Sequence, residues 1–262
     1  MNHALLFSVF IVASCGLAYE LIAGALASYL LGDSILQFST VIGAYLFAMG
    51  IGSWLSRYVE QRLVARFIQV ELLVGTLGGL SAAGLFFVFA WSPAPFRVLL
   101  YLAVLAIGVL VGLEIPLIMR ILKRDLQFKD VVSQVLTFDY LGALAVSVLF
   151  PILLVPHLGL MRSGLLFGVL NVAVALWTSW LFNAQLATSA RRLRAQGIGA
   201  LLLLLIAFAA AGRLTSLAEA QIYNDEIVYS ESTPYQRIVV TRWRDDLRLH
   251  LNNNLQFSSR DE

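Results

Sequence analysis

The sequence predicts an α-helical polytopic membrane bundle of about seven transmembrane helices, followed by a small antiparallel β-hairpin region. Three observations predict it. Hydrophobic residues make up 60 % of the chain and charged residues only 13 %, and the mean hydropathy is +0.83; soluble domains carry about a quarter charged residues. Apolar runs recur at the length of roughly 20 residues that a spanning helix needs. After Arg213 the chain turns polar and alternates with a period of two. The division is a transmembrane helical domain at 1–217 and a strand-rich tail at 218–262.

The spans expected from the apolar runs are 5–31, 35–55, 67–91, 98–121, 131–155, 158–182 and 198–217. Lipid supplies no partners for free backbone N–H and C=O groups, so these runs must be helical. The last is the weakest, because Arg213 interrupts it near its end, where an arginine can snorkel to the interface. Trp54, Trp91, Trp177 and Trp180 fall near expected helix ends, the headgroup level that suits indole rings. Gly108-Val-Leu-Val-Gly112 is a GxxxG, and Gly43, Gly50 and Gly52 are expected to flatten one side of the second helix for close packing.

Loop charges orient the bundle. Arg57, Arg62 and Arg66 follow the second run, Arg120, Lys123, Arg124 and Lys129 the fourth, and Arg191, Arg192 and Arg194 the sixth. The opposite loops carry Arg97 and Arg162. The positive-inside rule then places the N-terminus in the cytoplasm, and seven crossings place the tail outside. Met1 to His3 hold no Lys or Arg, so the first run reads as a spanning helix rather than a cleavable signal. The expected location is the cell (inner) membrane, multi-pass, with the bilayer as partner.

Composition excludes other classes. A net charge of +2 without a basic, aromatic-interleaved stripe argues against nucleic acid. Cys15 is the single cysteine, so no internal disulfide forms. His3, His157 and His250 are scattered without cysteine partners, so no metal site is expected. Phosphate-binding glycine loops, His-Glu-x-x-His and Gly-x-Ser-x-Gly are absent from the sequence.

Four carboxylates fall inside expected spans: Glu20, Glu71, Glu114 and Asp139. An ionised group at the bilayer centre costs about 2.5–3.5 kcal/mol, so such residues face a bundle interior or a watery path. Tyrosines adjoin two of them, as Tyr19-Glu20 and Asp139-Tyr140, and a carboxylate beside an aromatic ring suits an amine cation. These four residues form a candidate intramembrane cation site. The alternative is that the acids are interfacial, protonated, or paired across helices with Arg97, Arg120 or Arg162. Pro116, two residues after Glu114, is expected to kink its helix.

In the tail, residues 227–231 and 237–243 are rich in strand formers, and Leu247, Leu249 and Leu251 alternate with Arg248, His250 and Asn252 as in a half-buried strand. Arg244-Asp-Asp246 and Asn252-Asn-Asn254 supply turns, since asparagine tolerates left-handed backbone angles.

Tyr235-Gln-Arg-Ile-Val-Val-Thr241, followed by Leu247-Arg-Leu-His-Leu-Asn-Asn-Asn-Leu-Gln-Phe-Ser-Ser-Arg-Asp-Glu262, resembles the N-terminal hairpins of spermidine synthases (polyamine aminopropyltransferases). That family shows a Gln opening one strand, a Leu-x-Leu-Asp-Gly turn, then Gln-x-x-x-x-Asp-Glu before a Tyr-His-Glu. Asn252-Asn253 stand in place of Asp-Gly, while Gln256 and Asp261-Glu262 match in spacing. A multi-pass domain ahead of such hairpins also resembles the family's membrane-fused members.

The resemblance implies transfer of an aminopropyl group from decarboxylated S-adenosylmethionine to putrescine or a similar amine. It implies that Gln236 contacts the nucleoside donor, with no bound cofactor and with hairpin-mediated self-association. The family's histidine, glycine-rich loop, acidic ribose binder and catalytic aspartate all lie beyond the Asp-Glu motif. The chain therefore reads as a fragment that begins a truncated α/β synthase domain and holds no catalytic residue. A cytoplasmic donor conflicts with a tail placed outside. The competing readings are a polyamine or cation transporter with a synthase-derived tail, and a membrane scaffold.

Overall fold

A computed structural model of the chain describes residues 2–123, 127–186, 189–233 and 236–260. Arg124 of the loop-charge argument, and Tyr235 and Asp261-Glu262 of the tail motif, lie outside the described residues. The helices are α1 (Asn2–Leu31), α2 (Ser34–Leu55), α3 (Leu63–Trp91), α4 (Phe96–Leu122), α5 (Phe128–Leu149), α6 (Val155–Leu181), the short α7 (Asn183–Leu186) and α8 (Ser189–Tyr223). A π-helical turn, Phe150–Leu154, joins α5 to α6. The strands are β1 (Glu226–Ser232), β2 (Arg237–Trp243), β3 (Asp246–Leu251) and β4 (Asn254–Ser258).

Helix α1 is the axis of the bundle, packing against α2, α3, α4, α5 and α6. That explains its lack of a polar stripe: a helix covered on several sides has no face to give to water. Leu5, Cys15, Ala18, Tyr19, Ile22 and Leu26 are all buried along it. The outer faces of the bundle remain apolar, with Leu46, Phe47, Leu202 and Ile206 exposed.

Glycine decides the α2–α4 contact. A Cβ on Gly52 would lie 2.0 Å from the Val109 carbonyl oxygen, and one on Gly112 would lie 2.2 Å from that of Met49. Gly108 completes the surface against Ala48 and the Tyr45 carbonyl. Gly43 and Gly50, expected to share this role, face open space. They lie on a different side of α2, because a seven-residue separation returns them to each other's face and not to that of Gly52.

The expected fold class is corrected on two points. Among the described residues, six continuous helical stretches, where about seven separate helices were expected, are long and apolar enough to cross a membrane, and one of them is long enough for two passes. The runs expected at 131–155 and 158–182 belong to one helical stretch, Phe128–Leu181, of 54 residues. Pro151 and Pro156 each fall in the first turn of their helical segment, where a missing N–H costs least. The stretch is nonetheless not one rod. The Ser14 hydroxyl donates to the Gly142 carbonyl at 3.1 Å, and the adjacent Cys15 thiol contacts the Phe167 carbonyl at 3.5 Å. Residues 142 and 167 thus sit at one level of α1, whereas a straight helix would set them about 37 Å apart. The chain folds back near Gly159, whose φ of 73° only glycine adopts cheaply.

The second correction concerns the tail. Its described strands form a four-stranded antiparallel meander in the order β1-β2-β3-β4, where the start of an α/β domain was expected. Asn252 (φ 48°) and Asn253 (φ 64°) make the two-residue β3–β4 turn in the left-handed region. The division expected between 217 and 218 falls inside α8, which runs on to Tyr223.

The expected leucine face of β3 is not the covered one. Leu247, Leu249 and Leu251 pair with Arg242, Val240 and Ile238, and on that side Leu247 and Phe257 stay exposed. The covered face carries Val239 and Thr241, both at 0 % exposure, opposite His250 and Arg248. It meets the end of α8, where the Tyr223 and His250 rings lie edge to face at 4.9 Å.

Candidate functional site

The site nearest the tail is a junction of four elements, α1, α8, β1 and β2. Arg237 opens β2 and reaches Glu219 on α8 through two hydrogen bonds of 2.9 Å, from Nε to Oε1 and from Nη2 to Oε2. Its Nη1 donates to the Ser232 hydroxyl at 3.0 Å. The Tyr29 hydroxyl of α1 donates to Glu219 Oε1 and lies 3.3 Å from the Tyr223 hydroxyl. The bidentate fork fixes orientation as well as charge. Burial alone would lower the Arg237 guanidinium, but its bonds to Glu219 more than reverse this and hold it above its usual value.

Tyr29, Glu219 and Arg237 of this junction also line a cavity of about 830 Å³ bounded by α1, α2, α3, α6, α8 and the facing ends of β1 and β2. Leu26, Phe38 and Phe86 make an apolar wall, and Arg162, Glu231 and Gln236 line polar positions. The size falls within the range of about 300–1,000 Å³ typical of small-molecule pockets. Gln236 is held by its main chain: its N–H donates to the Thr233 hydroxyl at 3.0 Å, and its carbonyl accepts the Thr233 N–H at 3.0 Å. These bonds hold Gln236 among the residues that line the cavity. Arg162 lines the cavity from α6, and its Nε is buried without a hydrogen-bond partner.

The second polar centre is in the bundle interior. Glu71 on α3 is fully buried and Glu114 on α4 is 2 % exposed. Asn171 on α6 donates through Nδ2 to Glu71 Oε2 at 2.7 Å and to the Glu71 carbonyl at 3.2 Å. Glu114 lies within electrostatic reach of Glu71 and of Asp139.

The expected cation site is only partly assembled. Tyr19 is buried with its ring against Gly78, where a Cβ would lie 2.7 Å from it, and it neighbours Glu114 and Glu71. Glu20 is buried on the adjoining face of α1 and interacts with Tyr45 of α2. Asp139 is half-buried and approaches Glu114. Tyr140 is 66 % exposed and turns outward, since neighbouring helix positions point about 100° apart. The expected arginine partners do not reach the acids: Arg120 donates to the Ser56 carbonyl at 2.6 Å, Arg162 lines the cavity, and Arg97 is exposed.

Three contributors escaped sequence reasoning. Asn171 was available as a lone amide inside an apolar run, while Glu219 and Tyr223 sit past the apolar part of α8, where no pattern separates a docking surface from a loop.

Relatives are similar over the whole chain, helices and tail together. It is 64 % identical over 268 residues to polyamine aminopropyltransferase 2 of Ralstonia nicotianae, covering 100 % of this chain and 52 % of the relative. Identity is 52 % over 262 residues to polyamine aminopropyltransferase of Leptospira interrogans, covering 100 % of this chain and 52 % of that protein. It is 39 % over 270 residues to polyamine aminopropyltransferase 1 of Streptomyces coelicolor, covering 98 % and 50 %. No family model matches the chain, and no solved structure matches it. The chain spans about half the length of the curated relatives it matches, and those relatives carry the name of the family that its tail motif resembles.

Proposed function

We propose that this chain is part of a membrane-resident polyamine aminopropyltransferase. The observation that carries the reading is similarity along the entire chain to proteins of that name, 64 % for one of them. The reaction is attack of an amine nitrogen, of putrescine or a similar amine, on the aminopropyl carbon next to the sulfonium of decarboxylated S-adenosylmethionine. A C–N bond forms, the C–S bond breaks, methylthioadenosine leaves, and the amine gives up a proton. The catalytic groups that the resemblance implies are not among residues 1–262, so this chain contributes binding and placement.

Within it, Gln236 is the proposed donor contact. Its support is the family motif together with its place on the wall of a ligand-sized cavity. A side-chain amide both donates and accepts, which suits the edge of a nucleoside. Location in the cell membrane is supported by six long apolar helices and by their apolar outer faces. Self-association, implied by the same resemblance, is part of this proposal, and light scattering of the purified protein tests it.

The experiment is to express the longest natural polypeptide containing this chain and incubate its membranes with decarboxylated S-adenosylmethionine and putrescine. Appearance of spermidine and methylthioadenosine in equal amounts is expected, and Gln236→Ala should cut kcat/KM about tenfold through the donor KM. Absence of transfer to putrescine and to longer diamines alike would overturn the reading.

A further inference from the structure

Among the described residues eight buried side-chain polar atoms have no hydrogen-bond partner, and four of them belong to the group around Glu71 and Glu114: Glu71 Oε1, Glu114 Oε1, Asn171 Oδ1 and the Tyr19 hydroxyl. Buried polar groups in folded proteins are satisfied in about nine cases of ten or more, so four orphans gathered around one pair of carboxylates call for a ligand. We propose that Glu71, Glu114, Asn171 and Tyr19 form a buried site for one small cation, a proton or an alkali ion, held between α1, α3, α4 and α6. The argument is independent of the transferase reading and uses different residues.

The charge balance points the same way. Among the described residues, every ion pair lies at the tail, and none reaches Glu71 or Glu114. The groups within electrostatic reach of them are neutral or acidic: Cys15 and Tyr19 from α1, Tyr45 from α2, Asp139 from α5 and the hydrogen-bonded Asn171 from α6. Tyr45 is already committed, because its hydroxyl donates to the Gly16 carbonyl at 2.8 Å. Two uncompensated carboxylates this deep would each carry a desolvation penalty of several kcal/mol. A cation removes that penalty and supplies the missing partner.

The number of oxygens selects the cation. Glu71 Oε2 is taken by Asn171 Nδ2, so the buried oxygens without a partner are Glu71 Oε1, Glu114 Oε1, the amide oxygen and the tyrosine hydroxyl. Calcium takes about six to eight oxygens and magnesium about six, more than this set offers. A proton on one carboxyl turns it into a donor for a neighbouring oxygen. An alkali ion would draw on the same oxygens directly.

The test uses the full chain in lipid nanodiscs. Infrared spectra across pH 5–9 read the carbonyl stretch of protonated carboxyl groups, and thermal unfolding is compared in sodium chloride and choline chloride at equal ionic strength. If the ligand is a proton, a carboxyl band titrates and is lost in Glu71→Gln or Glu114→Gln. If it is an alkali ion, sodium but not choline raises the midpoint by about 2–4 °C, the shift expected of about 1 kcal/mol at this chain length. That rise should disappear in the same variants. Wild-type protein showing neither a titrating carboxyl band nor a sodium-specific shift would overturn the proposal, leaving water as the occupant. Because the wild-type spectra and midpoints decide, a variant that fails to fold does not rescue it. Tyr19→Phe, which removes only the hydroxyl, should weaken the sodium shift or move the titration of the band, and no effect of it on either would remove Tyr19 from the site.

Discussion

Arg237, the first residue of β2, and Glu219, near the end of α8, are joined by two parallel hydrogen bonds of 2.9 Å, and this pair anchors the sheet to the bundle. The Glu219 side chain is 5 % exposed and that of Arg237 20 %. Removing the cation leaves a buried carboxylate with only the Tyr29 hydroxyl to hold it. Arg237→Met should therefore loosen docking of the sheet by about 2–3 kcal/mol, below the full cost of breaking a wholly buried pair. Hydrogen exchange at β1 and β2 should rise strongly, while exchange in α3 and α4 stays unchanged. Glu219→Gln keeps one acceptor oxygen but sets its amide N–H groups against an Arg237 donor and leaves the guanidinium without a counter-charge, so it should loosen the sheet to a similar degree.

The α2–α4 seam makes a second, paired prediction. Gly52→Ala and Gly112→Ala each drive a methyl into backbone carbonyls at 2.0 and 2.2 Å, atoms that no rotamer change can move. Each should lower stability by about 1–3 kcal/mol or more. Gly43→Ala and Gly50→Ala meet nothing within 4 Å and should be neutral or stabilising by up to about 1 kcal/mol. Thermal unfolding of the four variants in one detergent separates the two classes.

Tail stability should fall on acidification. Hydrogen bonds from Ser258, Arg248 and Ser259 outweigh burial and hold the Asp246 carboxyl below its usual range. Burial holds His250 below the ordinary histidine value, partly offset by Asp225 and reinforced by Arg248. Both folded values are depressed, so the unfolded tail binds more protons, and stability rises with pH. The His250 contribution is present above about 6.5 and declines as pH drops below that. The Asp246 contribution is present above about 3.9 and is lost only at stronger acidity. Hydrogen exchange of β3 should show both steps, the first missing in His250→Phe and the second in Asp246→Asn.

Gly159 permits the return of α6 alongside α1. Its φ of 73° and ψ of 174° would strain any other residue by about 1–3 kcal/mol. Open space surrounds the position, so Gly159→Ala tests backbone strain without a steric clash. A fluorescence-measured distance between labels at the exposed positions Leu144 of α5 and Ala173 of α6 should broaden in that variant.

Much of this organisation was legible from residue patterns. The edges of α1, α2 and α4 fall within three residues of the apolar runs, because lipid and backbone hydrogen bonding leave helix as the only choice. The Asn252-Asn253 turn and strand β2 were equally plain, since local backbone preference governs both. Gln236 could be singled out only through its motif. That it shares a cavity with Arg162 depends on α6 meeting a turn 74 residues later in the chain.

Local chemistry thus set the helices, the hairpins and the change of character after Arg213. Packing decided the rest: which glycines touch, which face of β3 is covered, and that Glu71 meets Asn171 while Tyr140 turns away. The reason is periodicity. Spacing along a helix tells which residues share a face, but only the neighbouring helix determines whether that face becomes an interior, a seam or an outer wall.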